Sequence, residues 1–74
     1  MRLFHGLVRE VLDLEDDPYQ MELVGARYQV TAETPTRQTF IFYSDSDYVP
    51  GEHVRVEDEE AEWTGAYWQL SQVA

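Results

Sequence analysis

The sequence predicts an all-β domain, a small barrel of five to six strands. Three observations predict it. Apolar and polar residues alternate with period two in several short runs, which is the pattern of half-buried strands. Polar stretches carrying Pro or Gly separate those runs at the spacing of a barrel or sandwich. The chain has 74 residues with two Trp, five Tyr, three Phe and no Cys. That length makes a single domain over residues 1–74, with a thin core held by aromatic burial rather than by disulfides or thiolate metal sites.

The first segment admits two readings. Phe4, Leu7, Val8, Val11 and Leu12 fit a helical face, while Phe4, Val8, Leu12 and Leu14 fit one face of a bulged strand. Gly6 costs a helix interior about 1 kcal/mol, so a long strand is preferred. Asp16-Asp17-Pro18 then marks a turn. Tyr19, Met21 and Leu23 alternate with Gln20 and Glu22, and Tyr28, Val30 and Ala32 alternate with Gln29 and Thr31. These two runs read as strands in different registers, with Gly25 between them as a bulge or tight turn.

Thr34-Pro35-Thr36 closes the second run. Thr39-Phe40-Ile41-Phe42-Tyr43 is β-branched and aromatic throughout, which fits a central, covered strand. Residues 44–51 are polar and end in the turn dipeptide Pro50-Gly51. His53-Val54-Arg55-Val56-Glu57 alternates strictly, so His53 faces outward. The stretch 58–63 contains Glu59, Glu60, Ala61 and Glu62, residue types that favour a short helical turn. Thr64-Gly65 precedes a last strand in which Ala66, Trp68 and Leu70 alternate with Tyr67, Gln69 and Ser71.

Two stretches share a cadence with a known fold. One is Gly6-Leu7-Val8-Arg9-Glu10-Val11-Leu12, of the form G-x-V-x-x-V. The other is Pro50-Gly51-Glu52-His53-Val54-Arg55-Val56-Glu57, a turn leading into a strand. Together they resemble small five-stranded barrels of the oligonucleotide/oligosaccharide-binding (OB) type, and the second motif is similar to SH3-like barrels as well. The OB resemblance implies ligand binding by the central strands and by the first-to-second and fourth-to-fifth loops. Here those loops would be residues 13–17 and 57–62, the most acidic stretches of the chain.

Charge then separates fold from function. Fifteen Asp and Glu face five Arg and no Lys, for a formal net charge of −10. Nucleic-acid binding is driven largely by cations neutralising phosphates, so direct nucleic-acid binding is not the favoured expectation. A basic protein surface is the favoured partner, engaged by Asp13, Glu15, Asp16 and Asp17, by Asp45 and Asp47, and by Glu57, Asp58, Glu59, Glu60 and Glu62. Solubility or an acidic proteome would produce the same surplus. Residues 13–17 offer hard oxygen ligands, but they lack the D-x-(D/N)-x-(D/N)-G spacing of a calcium loop, so no metal or other cofactor is expected.

Tyr19, Tyr48, Trp63 and Tyr67 lie beside acidic loops. Tyr19, Tyr48 and Trp63 join the candidate partner-binding set, because Trp and Tyr are common interface anchors. A Trp flanked by carboxylates suits an incoming arginine. Trp68 and the Phe residues are expected in the core. His5 and His53 have no metal-motif partner, and no nucleophile, P-loop or dinucleotide fingerprint is present.

These features predict a non-enzymatic interaction module. One form is a phage- or mobile-element-type inhibitor that mimics nucleic-acid charge. The alternatives are a nucleic-acid-binding barrel using Arg2, Arg9, Arg27, Arg37 and Arg55, and an assembly module that self-associates through a strand edge. No apolar run reaches membrane-spanning length, and residues 1–6 lack the pattern of a signal peptide, so a cytoplasmic location is expected.

Overall fold

The computed structural model describes the backbone of residues 2–73 and the side chains of residues 2–71. The strands are β1 (Leu3–Asp13), β2 (Tyr28–Glu33), β3 (Thr39–Ser44), β4 (His53–Glu57), β5 (Glu62–Trp63) and β6 (Trp68–Val73). They form one sheet in the order β4-β1-β2-β3-β6-β5, curled into a half-barrel. Neighbours are antiparallel except β3 and β6, which run parallel. The Cα radius of gyration, 11.6 Å, is close to the roughly 11 Å expected of a collapsed chain of this length.

The preferred strand reading of the first segment holds, and β1 serves two partners. Its first half pairs with β4 from Leu3↔Glu57 to Leu7↔His53, and its second half pairs with β2 from Leu7↔Glu33 to Asp13↔Tyr28. The handover needs two local devices. Arg9 is an extra residue between the pairs Val8↔Ala32 and Glu10↔Thr31, a bulge that bends the strand. Gly6 is needed because a Cβ there would lie 2.0 Å from the carbonyl oxygen of Glu33. The bulge also shifts the inward phase, so Val11 is half-buried while Leu12, expected inside, is exposed.

The core is filled from the inward phase of each strand. Phe4, Val8, Val30, Ala32, Phe40, Phe42, Val54, Val56 and Leu70 pack with Ala61 as one cluster. Aromatic rings run through its centre, with Phe4 and Phe40 centroids 5.7 Å apart and Phe40 and Phe42 6.1 Å apart. β3 lies inside the sheet, as its aromatic content requires. β4 and β5 are the free edges. β4 blunts its edge with exposed His53, Arg55 and Glu57, and β5 does so by being short.

Two stretches depart from the sequence expectation. The run containing Tyr19, Met21 and Leu23 is a helix, α1 (Pro18–Val24), preceded by a single 3-10 turn, Leu14–Asp16. Its caps override the short alternation. The Asp17 side chain accepts from the Gln20 N–H at 3.2 Å, Pro18 occupies the first turn, and Gly25 ends the helix at φ 75°. Gly25 is thus a helix cap rather than a bulge. Residues 58–61 make a tight turn rather than a helical one, and Glu62 and Trp63 form β5.

Candidate interaction surface

The β1–β2 connection and the β3–β4 loop bring two of the three acidic clusters together. Asp13 pairs with Tyr28, and Tyr28 pairs with Ser44, so the ends of β1 and β3 flank the start of β2. Asp45 shares a hollow with Pro18, Met21, Glu22, Gly25, Ala26 and Arg27. The third cluster lies elsewhere, since Glu57 is opposite Leu3 at the other end of β1.

Within the joined clusters, some acids are already engaged. The Arg27 guanidinium donates to both oxygens of Asp13, at 3.2 and 3.1 Å, and to Glu15 at 2.7 Å. Asp13 also accepts from the Glu15 N–H at 2.9 Å. The Arg27 hydrogen bond, followed by that N–H, holds the Asp13 carboxyl below its ordinary value, and the same pair raises Arg27. Asp13 and Glu15 therefore fasten the loop as well as charging it. Asp16, Glu22, Asp45 and Asp47 are exposed, and Asp17 is an exposed cap.

Helix α1 buries none of its residues fully. Tyr19 and Leu23, one helical turn apart, are 75% and 68% exposed and line a shallow hollow with Glu22. Leu23 lies outside the set that the sequence suggests, because residues 19–23 read as a strand and a strand reading does not single out the four-residue spacing. The four-residue spacing from Tyr19 marks it once the helix is recognised.

Asp58 does not belong to the acidic surface. It is fully buried. Its carboxylate accepts from the Ser71 N–H at 2.6 Å, the Glu60 N–H at 2.8 Å and the Ser71 hydroxyl at 3.3 Å. These bonds tie the end of β4 to β6 across the open side of the half-barrel. Arg2 reinforces the seam by donating to the Ala61 carbonyl at 2.8 Å. Glu57, Glu59, Glu60 and Glu62 remain exposed, and Glu59, Glu60 and Glu62 line an open hollow with Arg2 and Gln69.

The aromatic candidates divide. Tyr48 is half-buried and packs edge-on against Phe42 at 5.7 Å, so it caps the core instead of standing free. Tyr67 is also half-buried. Trp63 is 48% exposed, with its ring 5.4 Å from Trp68. The arginine that finds an aromatic face here is the chain's own. Arg2 lies 5.1 Å from the Trp68 ring centroid, with Phe4 on the same indole at 5.6 Å.

His53 is exposed as its alternation predicts, and His5 lies near it with ring centroids 6.0 Å apart. Among the described residues no group of three or more His, Cys, Asp or Glu could hold a metal ion. Among them also, no helix is long and apolar enough to cross a membrane. Comparison with known proteins finds no matching family model, curated protein or solved structure.

Proposed function

We propose that this chain is a non-enzymatic interaction module that docks on a basic protein surface through α1 and the acidic loops beside it. The observation that carries the reading is the pair Tyr19 and Leu23, two large apolar side chains left mostly exposed on a helix with acids around them. An apolar anchor inside a charged rim is how interfaces combine affinity with steering. Asp16, Asp17, Glu22, Asp45 and Asp47 supply the rim. A nucleic-acid-binding cleft, basic and shaped for phosphates, is a surface that such a rim complements. On this reading the module acts as a charge-mimicking inhibitor of the phage- or mobile-element type.

The finer reading of the fold as an OB-type barrel is supported by the strand order and by the parallel β3–β6 contact that brings a later strand beside an earlier one. A partly open Greek-key barrel has this character. Its usual nucleic-acid face would be the outer side of β2 and β3. Here the residues alternating with the core on those strands are Gln29, Thr31, Glu33, Thr39, Ile41 and Tyr43, with no cation among them. That composition favours the protein partner.

The test uses an arginine-rich peptide as a defined basic probe, with fluorescence anisotropy at low and high salt. Saturable binding should weaken steeply with salt. Tyr19→Ala with Leu23→Ala should weaken it at fixed charge, and Asp16→Asn with Glu22→Gln and Asp45→Asn should reduce its salt dependence. Binding that ignores both variant sets would defeat the proposal.

A further inference from the structure

Acids outnumber arginines fifteen to five in this chain, so every arginine has partners to choose from. Arg27 takes Asp13 and Glu15, and Arg2 is held by the Ala61 carbonyl and Trp68. Among the described residues, Arg9, Arg37 and Arg55 form no ion pair. They gather with both histidines. Arg9, Arg37 and His53 line one hollow, and His5, His53 and Arg55 line the next, with His53 common to both.

Both arginines of the first hollow are placed by backbone irregularities. Arg9 is the bulged residue of β1, and a bulge re-aims the side chain it carries. Arg37 is the one described non-glycine residue with positive φ, at 65°. It ends a tight hairpin in which the Arg37 N–H donates to the Thr34 carbonyl at 2.9 Å and the Thr34 N–H donates to the Gln38 carbonyl at 2.8 Å. That left-handed position ordinarily takes glycine or asparagine. Such strain concentrates where a side chain has a task.

We infer that the hollow between β1, the β2–β3 hairpin and β4 binds a phosphate monoester, with Arg9 and Arg37 on the phosphate oxygens and His53 donating beside them. Its volume, about 320 Å³, lies at the small end of the range for ligand sites, roughly 300–1,000 Å³. Two guanidiniums suit a tetrahedral dianion, because each offers a planar fork of donors. Leu7 and Pro35 give the organic portion an apolar wall. Glu33 also lines the hollow and opposes a bare anion. It accepts a hydroxyl or N–H of the ligand, which favours an organic ester over inorganic phosphate. The phosphate has two possible sources, a small metabolite or the 5′ end of a nucleic-acid strand.

The test is an amide and arginine side-chain NMR titration of the whole chain at pH 7.5 and low salt. The probes are inorganic phosphate, adenosine monophosphate, adenosine, and a tetranucleotide with and without a 5′-phosphate. Saturable shifts confined to residues 6–9, 33–38 and 53 are expected with a phosphorylated probe. Tighter binding of the monophosphate identifies a small ligand, and tighter binding of the 5′-phosphorylated strand identifies a chain end. Arg9→Gln and Arg37→Gly should each weaken binding by about ten-fold or more, the cost of a lost charge-assisted bond. Arg37→Gly relieves the left-handed strain, so its loss of binding should come with a higher unfolding midpoint, which separates a lost ligand contact from a lost fold. The inference is overturned by absence of saturation at 10 mM probe (roughly the weakest affinity worth assigning), by equal affinity with and without phosphate, or by unchanged binding in both variants.

Discussion

Replacing Asp58 should reveal what holds the half-barrel shut. Its carboxylate is the buried acceptor for two backbone N–H groups, Ser71 at 2.6 Å and Glu60 at 2.8 Å. A hydrogen bond to a charged group contributes roughly 1.5–3 kcal/mol net. Asp58→Ala should therefore cost about 3–6 kcal/mol, against a total of about 4–11 kcal/mol for a domain of this length. Asp58→Asn keeps the shape but turns one acceptor into a donor facing an N–H, and should cost about 2 kcal/mol. Exposed Glu62→Gln should stay within about 0.5 kcal/mol of the parent. Urea unfolding followed by Trp63 and Trp68 fluorescence gives the midpoint shift at constant slope. Hydrogen exchange should quicken first at Ser71 and spare β2 and β3. If Asp58→Ala unfolded within about 1 kcal/mol of Glu62→Gln, the clasp reasoning would be wrong. The same result bears on any charge-removal test of residues 57–60, because a variant including Asp58 would lose fold and charge together.

Two further outcomes are expected. Gly6→Ala places a Cβ 2.0 Å from the Glu33 carbonyl oxygen and 2.6 Å from its carbon; both are backbone atoms that no rotamer can move, so the loss should reach about 3 kcal/mol, the upper range for overpacking, and a loss under 1 kcal/mol in the same urea assay would show that β1 and β2 part easily there. The Asp13 carboxyl, lowered first by Arg27 and then by the Glu15 N–H, should titrate by NMR below the ordinary 3.8; its stabilising contribution is complete above that value and disappears as pH falls through the folded midpoint, and Arg27→Gln should move the midpoint part of the way back toward 3.8 and reduce that acid dependence, the Glu15 N–H keeping the rest.

Where strands alternate strictly, the sequence was enough. His53 to Glu57 and Tyr28 to Ala32 have the phase that their periodicity requires, and Thr39 to Tyr43, β-branched and aromatic throughout, lies inside the sheet as that composition requires. The helix was hidden because Tyr19, Met21 and Leu23 mimic a strand over five residues, although Asp17, Pro18 and Gly25 already stood at cap positions. Asp58 was hidden by its neighbours. Taken with the acids around it, it looks like one member of a charged run. Taken with Val54 and Val56, it is the next inward step of β4, and the structure follows that phase into the seam. Leu12 is expected inside and lies outside, because the bulge at Arg9 reverses the inward phase and no turn residue marks it.

The distribution of charge also argues that the two proposed contacts work separately. Asp13 lies four residues from Arg9 along β1, about 13 Å at the rise of a strand. The Debye length at physiological salt is about 8 Å, so the acids at the end of β1 contribute only a screened field at the arginine hollow. At low salt that field would oppose a phosphate and strengthen the pull on a basic protein. Raising salt toward the physiological range should thus weaken peptide binding at α1 more than phosphate binding at Arg9 and Arg37. The latter depends on short hydrogen bonds and gains from the screening of nearby carboxylates. A steep loss of peptide binding beside a shallow or absent loss of phosphate binding over one salt series would place the contacts on distinct surfaces. Parallel loss of both would mean that a single electrostatic field governs them.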